Sequence, residues 1–149
     1  MWIELRILRS GDESVLANVA PDVFDDPIDA RATAEFLGDP RHHLVVALDN
    51  GSVVGFASAV LYVHPDKPRP ELWINEVGVA VTHRSRGIGR RLLEVLLDFG
   101  RNADCAEAWV LTDRSNHAAM LLYASVDGQE APGNQVMFTF YLIGDKRTL

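Results

Sequence analysis

Cysteine is almost absent: Cys105 stands alone in 149 residues. One thiol rules out an internal disulfide framework and a cysteine-based zinc site, so Cys105 reads as a small apolar side chain and no metal is expected. Long apolar runs are missing as well, none approaching the roughly 20 residues that cross a bilayer. The opening Met1-Trp2-Ile3-Glu4-Leu5-Arg6 lacks the basic region, apolar region and small-residue cleavage site of a secretory signal. These gaps predict a cytoplasmic protein with no membrane partner. Positive charge is scarce: 14 Lys and Arg face 21 Asp and Glu, for a formal charge of −7. Nucleic acid is disfavoured as a partner, since its binders carry a net basic face. No internal repeat or low-complexity tract points to a solenoid or fibre. What is there is globular material, 48% hydrophobic and 23% charged, at a length that buries about 70% of the unfolded chain's surface. A single domain over residues 1–149 is the expectation.

Residues 2–8, WIELRIL, alternate as a strand does, and residues 11–24 carry a helical pattern ending near Pro21. From Asp22 to Asp39 the acids Asp22, Asp25, Asp26, Asp29, Glu35 and Asp39 face only Arg31, and residues 29–39 read as a short helix closed by Gly38. Residues 42–48 and 52–63 flank Asp49-Asn50-Gly51, a strong hairpin signal because Asn-Gly accepts the positive φ angles of a tight turn. Three prolines in residues 64–70 break the pattern, and residues 71–81 form a nearly continuous apolar strand, as expected of a central strand covered on both faces. Ile88, Leu92, Leu93, Leu96, Leu97 and Phe99 then recur at helical spacing up to Gly100 as the stop. Residues 107–113 predict a strand, residues 115–126 a helix capped by Ser115 or Asn116, and residues 135–143, QVMFTFYLI, a closing strand. The order is β, α, α, β, β, β, α, β, α, β, an α/β domain with one mixed sheet and helices on its faces.

Between the central strand and the next helix lies THRSRGIG, residues 82–89, followed by two more arginines. A strand that hands over to a helix this way leaves backbone N–H groups unpaired and pointing outward. The helix N-terminus adds a favourable field for an anion of about 0.3–1 kcal/mol, and Gly87 and Gly89 let a phosphate approach the backbone. Arg84, Arg86, Arg90 and Arg91 can supply charge-assisted hydrogen bonds, although positive charge is disfavoured at that end of a helix. A polyanionic ligand accounts for that placement; a solvated basic patch over a core helix is the plainer alternative. The Walker pattern is absent, and the dinucleotide fingerprint fails at Leu92.

The run from Val77 to Gly89 is similar to the acyl-CoA signature of the GNAT family of N-acetyltransferases: a strand, then R/QxxGxG/A, then a helix, matched by Arg84, Gly87 and Gly89. The resemblance covers nearly the whole chain in element order. It implies a GNAT-like α/β (α+β) domain with a central, mixed, mostly antiparallel sheet flanked by helices, and acetyl-CoA as co-substrate. By the same resemblance, Val79 and Val81 would bond the pantetheine arm through their backbones. Arg84, Arg86, Gly87, Ile88, Gly89 and Arg90 would cradle the pyrophosphate, with Arg91 as a solvated neighbour. The family's second marker, an asparagine before a tyrosine on the next helix, maps onto Asn116 and Tyr123. Residues 70–96 further resemble the aminoglycoside 3-N-acetyltransferases of the type I group, which place a carboxylate at the position of Glu76. Residues 9–40 are less similar, and the usual YxxxGF ending is YASVDGQ here, with the glycine displaced by one. A homodimer is a further implication of the resemblance.

Acetyl transfer needs a neutral amine, yet a lysine-like amine of pKa ~10.4 is neutral in roughly one molecule per thousand at pH 7, a handicap of about 4–5 kcal/mol. Glu76 is the candidate base, with an ion pair to a nearby arginine as the alternative. The backbone N–H of Val79 suits the oxyanion if the strand bulges. Tyr123 is the candidate acid for the departing thiolate; packing of its ring is the alternative. Asp22, Asp25 and Asp26 read either as a rim that receives a polycationic small-molecule amine or as a solvated loop. His42 and His43 point to opposite faces of a strand and read as structural. His64, His83 and His117 fall near loops, where solvation is the default, and Trp2, Trp73 and Trp109 are expected in the core. The leading expectation is an acetyl-CoA-dependent N-acetyltransferase. A CoA-binding sensor, a protein or peptide amine acetyltransferase and an oligomerisation module are the competing readings.

Overall fold

The computed structural model describes residues 2–144. The fold grows from one hairpin. Asn50 and Gly51 take φ angles of 49° and 80° and turn β2 (His42–Asp49) into β3 (Ser52–Tyr62), so the Asn-Gly expectation holds. β1 (Glu4–Ile7) pairs antiparallel with β2, and β4 (Glu71–Val79) pairs antiparallel with β3. β5 (Ala108–Val110) runs parallel to β4, giving a five-stranded mixed sheet in the order β1-β2-β3-β4-β5. Strand pleating sends alternate side chains to opposite faces. On one face α2 (Ile88–Asn102) buries Ile88, Leu92, Leu93 and Leu96 against Leu72, Ala59 and their neighbours. Each such side chain contributes roughly 1.5–3 kcal/mol. On the other face lies α1 (Ala30–Gly38), whose first turn is capped by the Asp29 carboxylate accepting from Ala32 N–H at 2.8 Å. α3 (His117–Ser125) follows β5 and reaches the start of α2 through Leu122, which sits 3.3 Å from where a Cβ on Gly89 would lie. No helix among the described residues is long and apolar enough to cross a membrane.

The two adjacent histidines diverge as the pleat requires: His42 stacks on Phe36 of α1, and His43 stacks on Phe99 of α2. Other expectations are corrected. Residues 11–24 form only a 3-10 turn at Glu13–Ala17, because the chain is then drawn against β3: Ala20 N–H donates to Val53 O at 2.9 Å and Val53 N–H to Asn18 O at 2.8 Å. Gly100 does not stop α2, which runs on to Asn102; the glycine instead lets Leu72 approach within 3.3 Å of its Cβ position. β4 is central but open on one face, with Trp73, Asn75 and Glu76 exposed. The tryptophans are not core: Trp2 is 80% exposed, and Trp73, 38% exposed, stacks on Trp109 at 5.0 Å. Trp109 Nε1–H donates to the Tyr62 hydroxyl at 2.7 Å. Residues 135–143 form no strand; Val136, Met137, Phe138, Phe140, Leu142 and Ile143 are each at least 76% exposed. Strand propensity alone does not make a ladder, and among the described residues this segment pairs with no strand of the sheet.

Burial, and then the neighbouring charge of His42, push the His43 pKa below its usual value, and its Nε2 is buried without a hydrogen-bond partner. Above pH ~6.5 the ring is neutral folded or unfolded, so it adds no pH dependence. Below that value the unfolded chain takes up the proton first, and stability falls until pH passes the depressed folded value. Urea midpoints measured from about pH 7 to about pH 5 will therefore fall more steeply for the native protein than for His43→Leu. Parallel slopes would show that His43 is not the group responsible.

Candidate functional site

The site begins where two strands part. β5 pairs with β4 only over Leu72–Ile74, while β4 continues to Val79. From Asn75 onward one edge of β4 has no strand beside it among the described residues. A bulge falls at the same place: Ser58 pairs with Glu76 but Ala59 with Ile74, so Asn75 is the extra residue. Ala80 N–H donates to Val54 O at 2.8 Å, and ladder alternation then turns the backbone groups of Val77 and Val79 away from β3 toward the open edge. The strand does bulge, four residues before Val79, and Val79 N–H faces outward by register. Val81 is placed differently from expectation. The strand ends at Val79, and Val81 opens a 3-10 turn, Val81–His83, as His83 N–H donates to Ala80 O at 2.8 Å and the chain leaves the sheet.

The turn then prepares the helix. Ser85 and Gly87 adopt φ of 60° and 78°, and Gly87 is the N-cap of α2 with no side-chain cap bond. The first N–H groups of α2 thus lack a side-chain acceptor, and no atom lies within 4 Å of a Cβ position on Gly87. That is open ground at the positive end of a helix, suited to an anion. The arginines are already engaged in distinct ways. Arg84 Nε donates to Val79 O at 3.1 Å, folding the guanidinium over the open edge. Arg90 pairs with Glu94 at 2.9 Å. Arg91, expected as a solvated neighbour, donates to Ile3 O at 3.1 Å and ties α2 to the chain before β1.

Glu76 lies on the α1 face, where it shares a cavity of about 350 Å³ with Asp25, Asp26, Phe24, Phe56 and Ser58. Glycine at 78 makes this possible. A Cβ there would stand 2.4 Å from Val23 O and 2.8 Å from the Phe56 ring, so any side chain would lift the acidic loop off β4. Phe24 stacks on Phe56 at 4.0 Å and holds the loop down. Asp25 and Asp26 are thereby brought to Glu76, whereas Asp22, exposed and at φ 62°, is not among the cavity-lining residues. No arginine pairs with Glu76 among the described residues, against the ion-pair alternative.

Asn116 caps α3, its side-chain oxygen accepting from Ala119 N–H at 3.1 Å. At the other end Asp127, at φ 66°, and Gly128 close the helix: Asp127 N–H donates to Ala124 O at 3.1 Å and Gly128 N–H to Tyr123 O at 2.9 Å. That double bond pattern is a Schellman cap. A Cβ on Gly128 would meet Tyr123 O at 2.7 Å, which accounts for the displaced glycine. Tyr123 is half-buried, and burial pushes its phenol pKa up, so it keeps its proton at neutral pH. Sequence reasoning missed the histidines. His64 Nε2 lies 2.7 Å from Glu71 Oε2, and His83 Nε2 lies 2.8 Å from Asp49 Oδ2; neither is a solvated loop residue. Their partners lie too far off in sequence for spacing to have found them.

Residues 10–128 match the acetyltransferase (GNAT) family. N-alpha-acetyltransferase RimI of Mycobacterium tuberculosis is 35% identical over 129 residues, spanning 85% of this chain and 78% of that protein. N-acetyltransferase family 8 member 2 of Rattus norvegicus is 28% identical over 99 residues; the match takes in 66% of this chain and 44% of the rat protein. Among solved structures, an aminoglycoside acetyltransferase from an uncultured soil metagenomic sample superposes with a TM-score of 0.75 at 21% identity, over 97% of this chain and 100% of that one. The ribosomal-protein-alanine N-acetyltransferase of Brucella melitensis biovar Abortus 2308 gives 0.72 at 19% identity, over 93% and 100%. At those identities the structures speak for the fold alone. A parted β4 edge, an uncapped helix behind an arginine and glycine turn, and a family match over most of the sequence converge: the chain belongs to the GNAT family, as an acetyl-CoA-dependent N-acetyltransferase.

Proposed function

We propose that the protein acetylates a primary amine of a polycationic small molecule, with Glu76 as general base and Tyr123 as general acid. The observation that carries this reading is the shared cavity: Glu76 stands with Asp25 and Asp26 against aromatic walls, on the strand whose edge opens after Ile74. The fit to CoA rests on the free N–H groups of α2 and the unobstructed surface at Gly87. In this reading Gly87, Ile88, Gly89 and Arg90 receive the pyrophosphate, Arg84 and Arg86 neutralise it, and Val79 N–H holds the carbonyl oxygen as it gains charge. Acetyl-CoA supplies the activated thioester. Asp25 and Asp26 attract the ammonium forms of the acceptor, and Glu76, directly or through a water, removes a proton from the attacking amine. The amine nitrogen then forms the new C–N bond. As the C–S bond breaks, the Tyr123 hydroxyl donates to the sulfur; a phenol that holds its proton at neutral pH is suited to that. Asn116 orients the start of α3 through its cap and keeps its amide N–H groups for the cofactor.

An aminoglycoside 3-amino group is the acceptor favoured by the likeness of residues 70–96 to the type I group and by the acidic cavity. A second reading, the N-terminal α-amine of a protein, is favoured by the 35% identity to RimI. Mass spectrometry after incubation with acetyl-CoA separates them: a panel of aminoglycosides and polyamines will gain acetyl groups at rates at least tenfold above peptides, and the reverse order would establish the second. Glu76→Gln will lower kcat/KM for the amine about 10²-fold or more at neutral pH. The deficit will shrink at high pH, where the amine loses its proton unaided; a pH-independent ratio would reject the base. Tyr123→Phe will lower kcat about 10²-fold with little change in KM for acetyl-CoA. We also read the exposed apolar side chains between residues 136 and 143, together with the edge of β5 left unpaired among the described residues, as support for a homodimer, which light scattering of the purified protein tests.

A further inference from the structure

The geometry points to His83 and Asp49 as positioning residues that hold the arginine and glycine turn in the shape that receives the CoA pyrophosphate. The turn is an awkward piece of chain. Two of its residues, Ser85 and Gly87, sit in the left-handed region, which for serine costs about 1–2 kcal/mol. The helix behind it has no side-chain cap, and its first turn carries arginines and no acid. Nothing in those local preferences would keep the turn in one conformation, so support must come from outside it.

His83 supplies it. Its ring is only 15% exposed, in contrast to the mostly exposed residues that follow it, and both of its nitrogens are engaged. Nε2 lies 2.8 Å from Asp49 Oδ2, and Nδ1 lies 2.7 Å from Thr82 Oγ1. With the proton on Nε2, that nitrogen donates to the carboxylate and Nδ1 accepts from the threonine hydroxyl, so the neutral ring is satisfied on both sides. Asp49 belongs to a different part of the sheet. It is the last residue of β2, 34 positions earlier, paired with Ser52 across the Asn50-Gly51 turn. The backbone makes a parallel link, Ala80 N–H to Val54 O at 2.8 Å. The start of the turn is therefore pinned to the rigid β2–β3 hairpin at two points, one of main chain and one of side chain.

Asp49 cannot be a phosphate ligand, since its charge has the wrong sign. Its value lies in fixing where the following N–H groups and Arg84 stand, and an error of about 1 Å in such a site costs up to about 10²-fold. The proposal rests on the reading of this turn as the pyrophosphate cradle. It also reaches past the family signature, which marks Arg84, Gly87 and Gly89 but neither Asp49 nor His83.

The test compares CoA with pantetheine, which carries the thiol arm but no pyrophosphate, by calorimetric titration of the native protein, His83→Ala and Asp49→Asn. The native protein will bind CoA far more tightly than pantetheine. His83→Ala will weaken CoA about tenfold, the worth of one charge-assisted hydrogen bond, and leave pantetheine within about twofold. Asp49→Asn, which keeps an acceptor oxygen for His83, will retain CoA affinity to within about threefold. Equal weakening of both ligands by His83→Ala would mean a general loss of structure and overturn the positioning role, as would unchanged CoA affinity. A native protein that binds the two ligands equally would instead overturn the cradle itself, and the proposal with it.

Discussion

The structure turns on how soon β4 and β5 part. Three paired residues, Leu72–Ile74, are enough to fix β5 beside β4 and too few to cover the rest of its edge. A central strand with an uncovered edge exposes backbone donors and acceptors that must find partners. Here Arg84 Nε meets Val79 O, and in the proposed reading the cofactor takes the remaining groups. The bulge at Asn75 coincides with the parting and turns Glu76 to the α1 face. The open edge comes from that parting, the placement of Glu76 from the bulge, and the outward Val79 from the register with β3, and all three meet on one strand.

The same parting sorts the charge of an acidic chain. Asp25 and Asp26 gather over the α1 face, held down by Phe24 on Phe56 and admitted by the missing side chain of Gly78. The arginines gather beyond the end of β4, around the N-terminus of α2. The anionic acetyl-CoA and, in the proposed function, a cationic acceptor can then approach one strand from different directions, each drawn by the opposite sign. The net charge of −7 conceals that division; charge summed over the chain describes solubility better than it describes partners.

Much of this was legible in the residues. Asn50-Gly51 dictated its hairpin because few other dipeptides accept two positive φ angles, and the spacing of Ile88, Leu92, Leu93 and Leu96 gave α2 its buried stripe. The order of Glu76, the arginine turn and Tyr123 along the chain was enough to place them on β4, before α2 and on α3. What escaped depends on contacts between distant segments. The pull of β3 on residues 18–20 replaced an expected helix with a 3-10 turn, the His83–Asp49 bond spans two elements, and the need for glycine at 78 comes from Val23 O. Residues 135–143 show the converse: alternation and β-branching declare a strand, but propensity alone brings the segment to no edge of the sheet among the described residues.

The most direct test of this account follows backbone amide resonances while CoA is titrated into the isotopically labelled protein. The account predicts that the largest shifts fall on Val79 and on Gly87, Ile88, Gly89 and Arg90, the outward amide of β4 and the uncapped start of α2. Shifts confined to other parts of the sheet, with those amides unmoved at saturating CoA, would contradict it.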